Sequence, residues 1–131
     1  MVSKDKTNMG IKLTDFGFAC KFDPKEELEK HLGTVQYMAP EVQKSHKYNE
    51  KADVWSVGVI ACFLVSGQNP FPGENEHEIK MAVCDEDFTF TNKREYATVS
   101  SQAKDFIMRA LNKDRSERAS AEQLLNHPWL K

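Results

Sequence analysis

With 131 residues, 40% of them apolar and 29% charged, the chain has the material for one soluble globular domain with a modest core, and one domain is its ceiling. A net charge of −2 supplies no basic field for nucleic acid or for an acidic membrane surface. Residues Met1 to Thr7 lack the apolar stretch of a signal peptide, and the longest apolar run, Val57 to Val65, is about half a membrane span, so neither export nor a bilayer is indicated.

Met9, Ile11 and Leu13 alternate with Gly10, Lys12 and Thr14, a period of two that predicts a short strand ending at Asp15. An acid at a strand end is placed to point into a cleft. From Phe18 to Met38 no helical or strand period persists. Asp23-Pro24 marks a turn and Lys25 to Lys30 is a dense mixed-charge stretch, so the segment reads as a long surface loop, with a helical turn over Glu26 to Leu32 as the alternative. Loops of this length inside compact domains are uncommon unless they are functional or disordered. Cys20, Cys62 and Cys84 have no C-x-x-C spacing, which fits reduced, buried or half-buried thiols of a cytoplasmic protein.

Ala52 to Ser66 is predicted helical with apolar residues on every face, the pattern of a buried helix. Gly67 suits the left-handed position just past its end, and Pro70 forbids continuation. Asn75-Glu76-His77-Glu78 has the form of a helix start, followed by a narrow apolar face of Ile79, Ala82 and Val83. Ser100 caps a further helix in which Ala103, Phe106, Ile107, Ala110 and Leu111 fall on one face. Ser120 with Gln123 forms a capping box that opens a short helix ending before Pro128.

Six groups of residues stand in a fixed order. Asp15-Phe16-Gly17 is followed by Gly33-Thr34 and Tyr37-Met38-Ala39-Pro40-Glu41, then by Asp53 to Gly58, Arg118 and His127-Pro128-Trp129. A lone Asp-Phe-Gly triplet is weak, but the whole set in this order resembles the second half of a eukaryotic protein kinase. Ile11 to Cys20 with Phe22-Asp23-Pro24 resembles the calcium/calmodulin-dependent group, and phosphorylase-kinase catalytic subunits in particular. The resemblance implies a mainly α fold over residues 1–131: a partial kinase C-lobe made of a short strand, the activation segment and the last helices of the lobe.

It also implies roles residue by residue. Asp15 corresponds to the magnesium ligand for Mg-ATP and Phe16 to the residue whose packing sets the active arrangement, while Gly17 would let the backbone turn into the loop. Thr34 corresponds to the threonine that touches the catalytic aspartate of serine/threonine kinases, and Gly33 through Tyr37 to the surface beside the substrate residue that follows the phosphorylated one. Glu41 and Arg118 match an ion pair tying the end of the activation segment to the helices behind it, and Asp53 the aspartate that supports the catalytic loop. Val35, Gln36 and Arg115 depart from the commoner residues of the family. Residues 18–32 contain no Ser, Thr or Tyr, so a phosphate that would order this loop has no attachment point; Glu26, Glu27 and Glu29 are the acids that stand in for part of it, with Lys30 where an acid is expected.

Such an enzyme also needs a glycine-rich cover over the phosphates, a strand lysine paired with a helix glutamate, and a catalytic loop with its base. All of these lie earlier in the family's order than Asp15. The expectation is therefore a fragment with no catalytic base of its own, inactive alone, marginal in stability, and in need of the missing lobe or a partner to cover the Ala52 to Ser66 helix. Its partners are a protein substrate of the parent kinase, with no nucleic acid and no membrane. A non-catalytic interaction module derived from a kinase is the competing expectation; a calcium sensor is excluded because no D-x-D-x-D-G loop occurs.

Overall fold

The computed structural model describes residues 11–30, 32–90 and 94–131. Five α-helices follow one another among them: α1 (Pro40–Gln43), α2 (Lys51–Ser66), α3 (Glu76–Asp85), α4 (Ser101–Ala110) and α5 (Ala121–Leu125). Single 3-10 turns at Val35–Tyr37, Arg94–Tyr96 and Pro128–Leu130 join or end them. β structure among the described residues is confined to isolated bridges, of which Leu28 with Tyr48 is antiparallel.

Local chemistry sets the helix ends. Pro40 stands at the first position of α1, where its missing N–H has no helical partner to lose. Gly67 stops α2 in the left-handed conformation, φ 71°, and its N–H donates to the Phe63 carbonyl at 2.7 Å. The side chains of Asn75 and Ser100 accept from the N–H groups of Glu78 and Ala103. Ser120 and Gln123 form the reciprocal capping box, with bonds of 2.8 and 3.2 Å.

The core lies between α2 and α4. Gly58 permits their approach: a Cβ there would come within 2.8 Å of Ala110 Cβ and 2.9 Å of Leu111 Cδ2. Trp55, wholly buried on α2, stacks on Phe71 with ring centroids 5.5 Å apart, and the aromatic contacts continue through Phe88 to Phe90 and Tyr96. At the C-terminus Trp129 packs on Phe106 at 4.8 Å. His127 Nε2 donates to Asp105 Oδ2 at 2.9 Å while its Nδ1 accepts the Trp129 N–H, so the proton resides on Nε2.

The structure bears on four sequence expectations. The α2 helix is buried on one side only, as expected of a helix that needs further cover: Val57, Ile60, Phe63 and Leu64 face outward, Leu64 with 76% of its surface exposed. An apolar pattern on every face reports that cover is needed, not that it is present. Among the described residues of 26–32 the chain stays a loop without a helical turn, and Leu28 pairs with Tyr48. Ile11 and Leu13 are exposed and form no strand among the described residues, while Met9 lies outside them. Cys20 is exposed rather than buried, with Cys62 buried and Cys84 between the two.

Candidate functional site

Asp15 is one of two described non-glycine residues with positive φ, at 64°. Its Oδ1 accepts the Gly17 N–H at 3.3 Å, closing a short turn. The left-handed step is thus taken by Asp15 and not by Gly17, whose φ is ordinary; what glycine supplies is room, since a Cβ at Gly17 would sit 3.3 Å from the Asp15 carboxylate. Phe16 and Phe18 are each 69% exposed, so the aromatic rings flanking the turn have no apolar seat.

Thr34, exposed, precedes the 3-10 turn Val35–Tyr37, and Gly33 reaches it at φ 124°, a conformation L-residues rarely adopt. Tyr37 projects outward while Met38 and Ala39 enter the core. The helix that follows this turn carries a buried, charge-assisted contact. Glu41 in α1 receives Arg118 through two parallel bonds, Nη1 to Oε1 at 2.7 Å and Nη2 to Oε2 at 2.9 Å. Arg118 Nε donates to the Asn112 carbonyl at 2.8 Å and Nη1 to that of Lys51 at 3.0 Å. The guanidinium also lies 5.2 Å over the Trp55 ring. A fully buried cation is tolerated only when paired and hydrogen-bonded on every side, which this one is.

The charged loop ahead of the turn is fastened to the helices by contacts that the sequence reading missed. Arg115 bonds Glu27 at 2.6 Å and the Lys47 carbonyl at 2.8 Å; Lys47 pairs with Glu29 at 3.2 Å; the Tyr48 hydroxyl donates to the Lys30 carbonyl at 2.7 Å. Burial, helped by the neighbouring Cys20 and Asp53, pushes the Tyr48 phenol up, so it stays a donor at neutral pH. Loop, turn and the start of α2 line a half-open cleft of about 870 Å³ whose wall includes Thr34, Tyr37, Tyr48 and Asp53. Asp53, in the first turn of α2, is exposed toward it. Asp15 does not line it, although Gly17 does.

Magnesium is held by one or two carboxylates together with phosphate oxygens and waters. Among the described residues no group of three or more His, Cys, Asp or Glu side chains is placed to hold a metal ion, and Asp15 already engages the Gly17 N–H. Asp15 is thus the one carboxylate that this turn offers. No described helix is long and apolar enough to cross a membrane.

Comparison with known proteins decides the family: the protein kinase domain matches residues 1–130. The chain belongs to the protein kinase family. It is 41% identical over 92% of its length to mouse (Mus musculus) myosin light chain kinase 2, skeletal/cardiac muscle, covering 19% of that protein. It is 39% identical over its whole length to calcium-dependent protein kinase 34 of Arabidopsis thaliana, covering 24% of it. Among solved structures the twitchin kinase region from C. elegans superposes with a TM-score of 0.83 at 38% identity, over 92% of this chain and 21% of that one. The chain thus spans a fifth to a quarter of the length of these kinases. The mainly helical architecture, the order of motifs and the likeness to calcium-dependent kinases agree with the resemblance read from the sequence.

Proposed function

We propose that residues 1–131 are the activation segment and following helices of the C-terminal lobe of a cytoplasmic serine/threonine protein kinase, whose complete domain transfers the γ-phosphate of Mg-ATP to Ser or Thr of a protein substrate. In that domain Asp15 is a metal ligand, Phe16 and Gly17 shape the turn that presents it, and Asp53 supports the catalytic loop. Gly33, Thr34 and Tyr37 form the wall against which the substrate lies. The observation that carries this reading is the buried bidentate Glu41–Arg118 pair, which ties α1, at the end of the activation segment, to the residues that follow α4.

The 131-residue chain alone is inactive in this reading. Phosphoryl transfer is mostly positioning and electrostatics, and loss of positioning can raise a barrier by about 7–11 kcal/mol. The test incubates the purified chain with labelled Mg-ATP and a generic Ser/Thr substrate, beside an Asp15→Ala control. Silence in both, with transfer restored when the remaining kinase lobe is supplied and lost again with Asp15→Ala, is the expected result. Turnover by the chain alone above that control would overturn the inactivity, and full activity of an Asp15→Ala complete kinase would remove the metal assignment.

A second reading, a non-catalytic interaction module, is favoured by one observation: Val57, Ile60, Phe63 and Leu64 expose a continuous apolar strip of α2. In the kinase reading this strip is covered by the rest of the lobe. A chain that supports no transfer even with a kinase lobe supplied, yet binds one partner through this strip, would favour the module.

A further inference from the structure

Gln43 is a polar residue at a position the core would fill more comfortably with an apolar one. It closes α1 and keeps 1% of its surface exposed. Its Nε2 donates to the Val35 carbonyl at 3.0 Å and to the Met38 carbonyl at 3.1 Å. Because both neighbours are carbonyl oxygens, the amide has to present its nitrogen there. Its Oε1 is left buried with no partner among the described residues, an arrangement native structures rarely keep. An amide that leaves one end unsatisfied is accounted for by what its other end holds.

What it holds is the substrate-side turn. The turn's own backbone bonds are two, Tyr37 N–H to Thr34 at 2.9 Å and Met38 N–H to Val35 at the long distance of 3.3 Å. Side chains from the helices supply the rest. Gln43 takes the carbonyls on either side of Gln36-Tyr37, and the Ser56 hydroxyl of α2 donates to the Tyr37 carbonyl at 2.7 Å. Three carbonyls within four residues are thereby fixed from beneath, and Tyr37 is left projecting on a backbone with little freedom.

We propose that Gln43 is a positioning residue for peptide recognition: its amide pre-orders the Val35–Met38 turn so that Tyr37 meets the substrate residue following the phosphorylated one. This rests on the kinase reading above. Pre-ordering lowers the entropy lost on docking, so Gln43 acts on substrate affinity and not on the chemical step.

The test uses the intact kinase that carries this chain, with Gln43→Met, Gln43→Glu and Ser56→Ala. Methionine keeps the volume, removes both donors and also removes the unpartnered buried oxygen. Expected for Gln43→Met is a melting temperature near wild type, the loss of two donors being offset by removal of the unpartnered oxygen, together with a peptide KM raised about threefold to tenfold, the factor corresponding to about 1 kcal/mol of lost turn order. The KM for ATP and kcat stay unchanged. Gln43→Glu, with a carboxylate facing two carbonyls, lowers stability and raises peptide KM further; Ser56→Ala raises peptide KM in the same direction. A merely structural role would move stability and KM together. A Gln43→Met enzyme of retained stability whose peptide KM stays within about twofold of wild type, a change too small for a lost hydrogen bond, overturns the proposal. If the wild-type kinase transfers no phosphate, the kinase reading itself fails. Amide exchange in the 131-residue chain then decides the clamp: faster exchange at Tyr37 and Met38 in Gln43→Met, with α2 unchanged, supports it, and equal exchange overturns it.

Discussion

Removing Arg118 is the perturbation with the largest expected effect on this fold. Arg118→Met keeps much of the volume but strips the donors from four acceptors: both Glu41 oxygens, at 2.7 and 2.9 Å, and the carbonyls of Asn112 and Lys51, at 2.8 and 3.0 Å. The Glu41 carboxylate, only 8% exposed, is then a buried charge without a counter-ion. Breaking one partner of such a pair costs about 3–5 kcal/mol. A chain of this length holds roughly 7–20 kcal/mol in total, less if α2 is uncovered, so the loss is a large share. At this size each kcal/mol moves the melting temperature by about 3–5 °C, which puts the expected drop above about 10 °C by circular dichroism or calorimetry. Glu41→Gln should cost less than Arg118→Met, because the guanidinium keeps its two carbonyl partners and one amide oxygen. The double replacement Glu41→Leu with Arg118→Met removes both charges and should recover part of the loss, giving a positive coupling in the cycle. An Arg118→Met chain less than about 1 kcal/mol below wild type would place the pair in the range of exposed ion pairs and refute the reasoning.

Gly58→Ala should destabilise by about 1–3 kcal/mol in urea unfolding, since the new Cβ collides with Ala110 and Leu111 across the α2–α4 contact; Gly67→Ala, with open space around it but φ at 71°, should cost about 1–2 kcal/mol through the backbone alone. Arg115→Ala releases Glu27 and the Lys47 carbonyl, so protease cleavage between Phe22 and Leu32 should quicken and lose its acceleration by added salt; unchanged cleavage would show that the loop is held elsewhere. Burial and the adjacent Cys62 push the Tyr96 phenol up to about 12 from 10.0, so the fold should keep this contribution below pH 10 and lose it as the pH rises toward 12, a slope that Tyr96→Phe flattens. The His127 and Arg109 hydrogen bonds hold the Asp105 carboxyl below its ordinary 3.8; its contribution is therefore present above that value and lost as the pH falls through the lower native one, and Asp105→Asn should remove this part of the acid limb.

The helices α2 to α5 were legible in the sequence because their signals are local. Asn75, Ser100 and Ser120 cap within three residues, Gly67 ends its helix by its own backbone, and the α4 face recurs at helical spacing. The motif order from Asp15 to Trp129 was likewise a property of the chain alone, and it was enough to indicate the family. What only the tertiary structure decided depends on neighbours far away in sequence. Leu28 finds Tyr48, Glu27 finds Arg115, and the Gln43 amide finds carbonyls of a turn that has no periodic signature. Which side of α2 stays exposed was likewise decided by packing: hydrophobic periodicity records how much apolar surface a helix must hide, while the residues that hide it are chosen by the tertiary structure. That Asp15 itself takes the left-handed conformation, with its carboxylate accepting the Gly17 N–H, is likewise a feature that only the three-dimensional geometry shows.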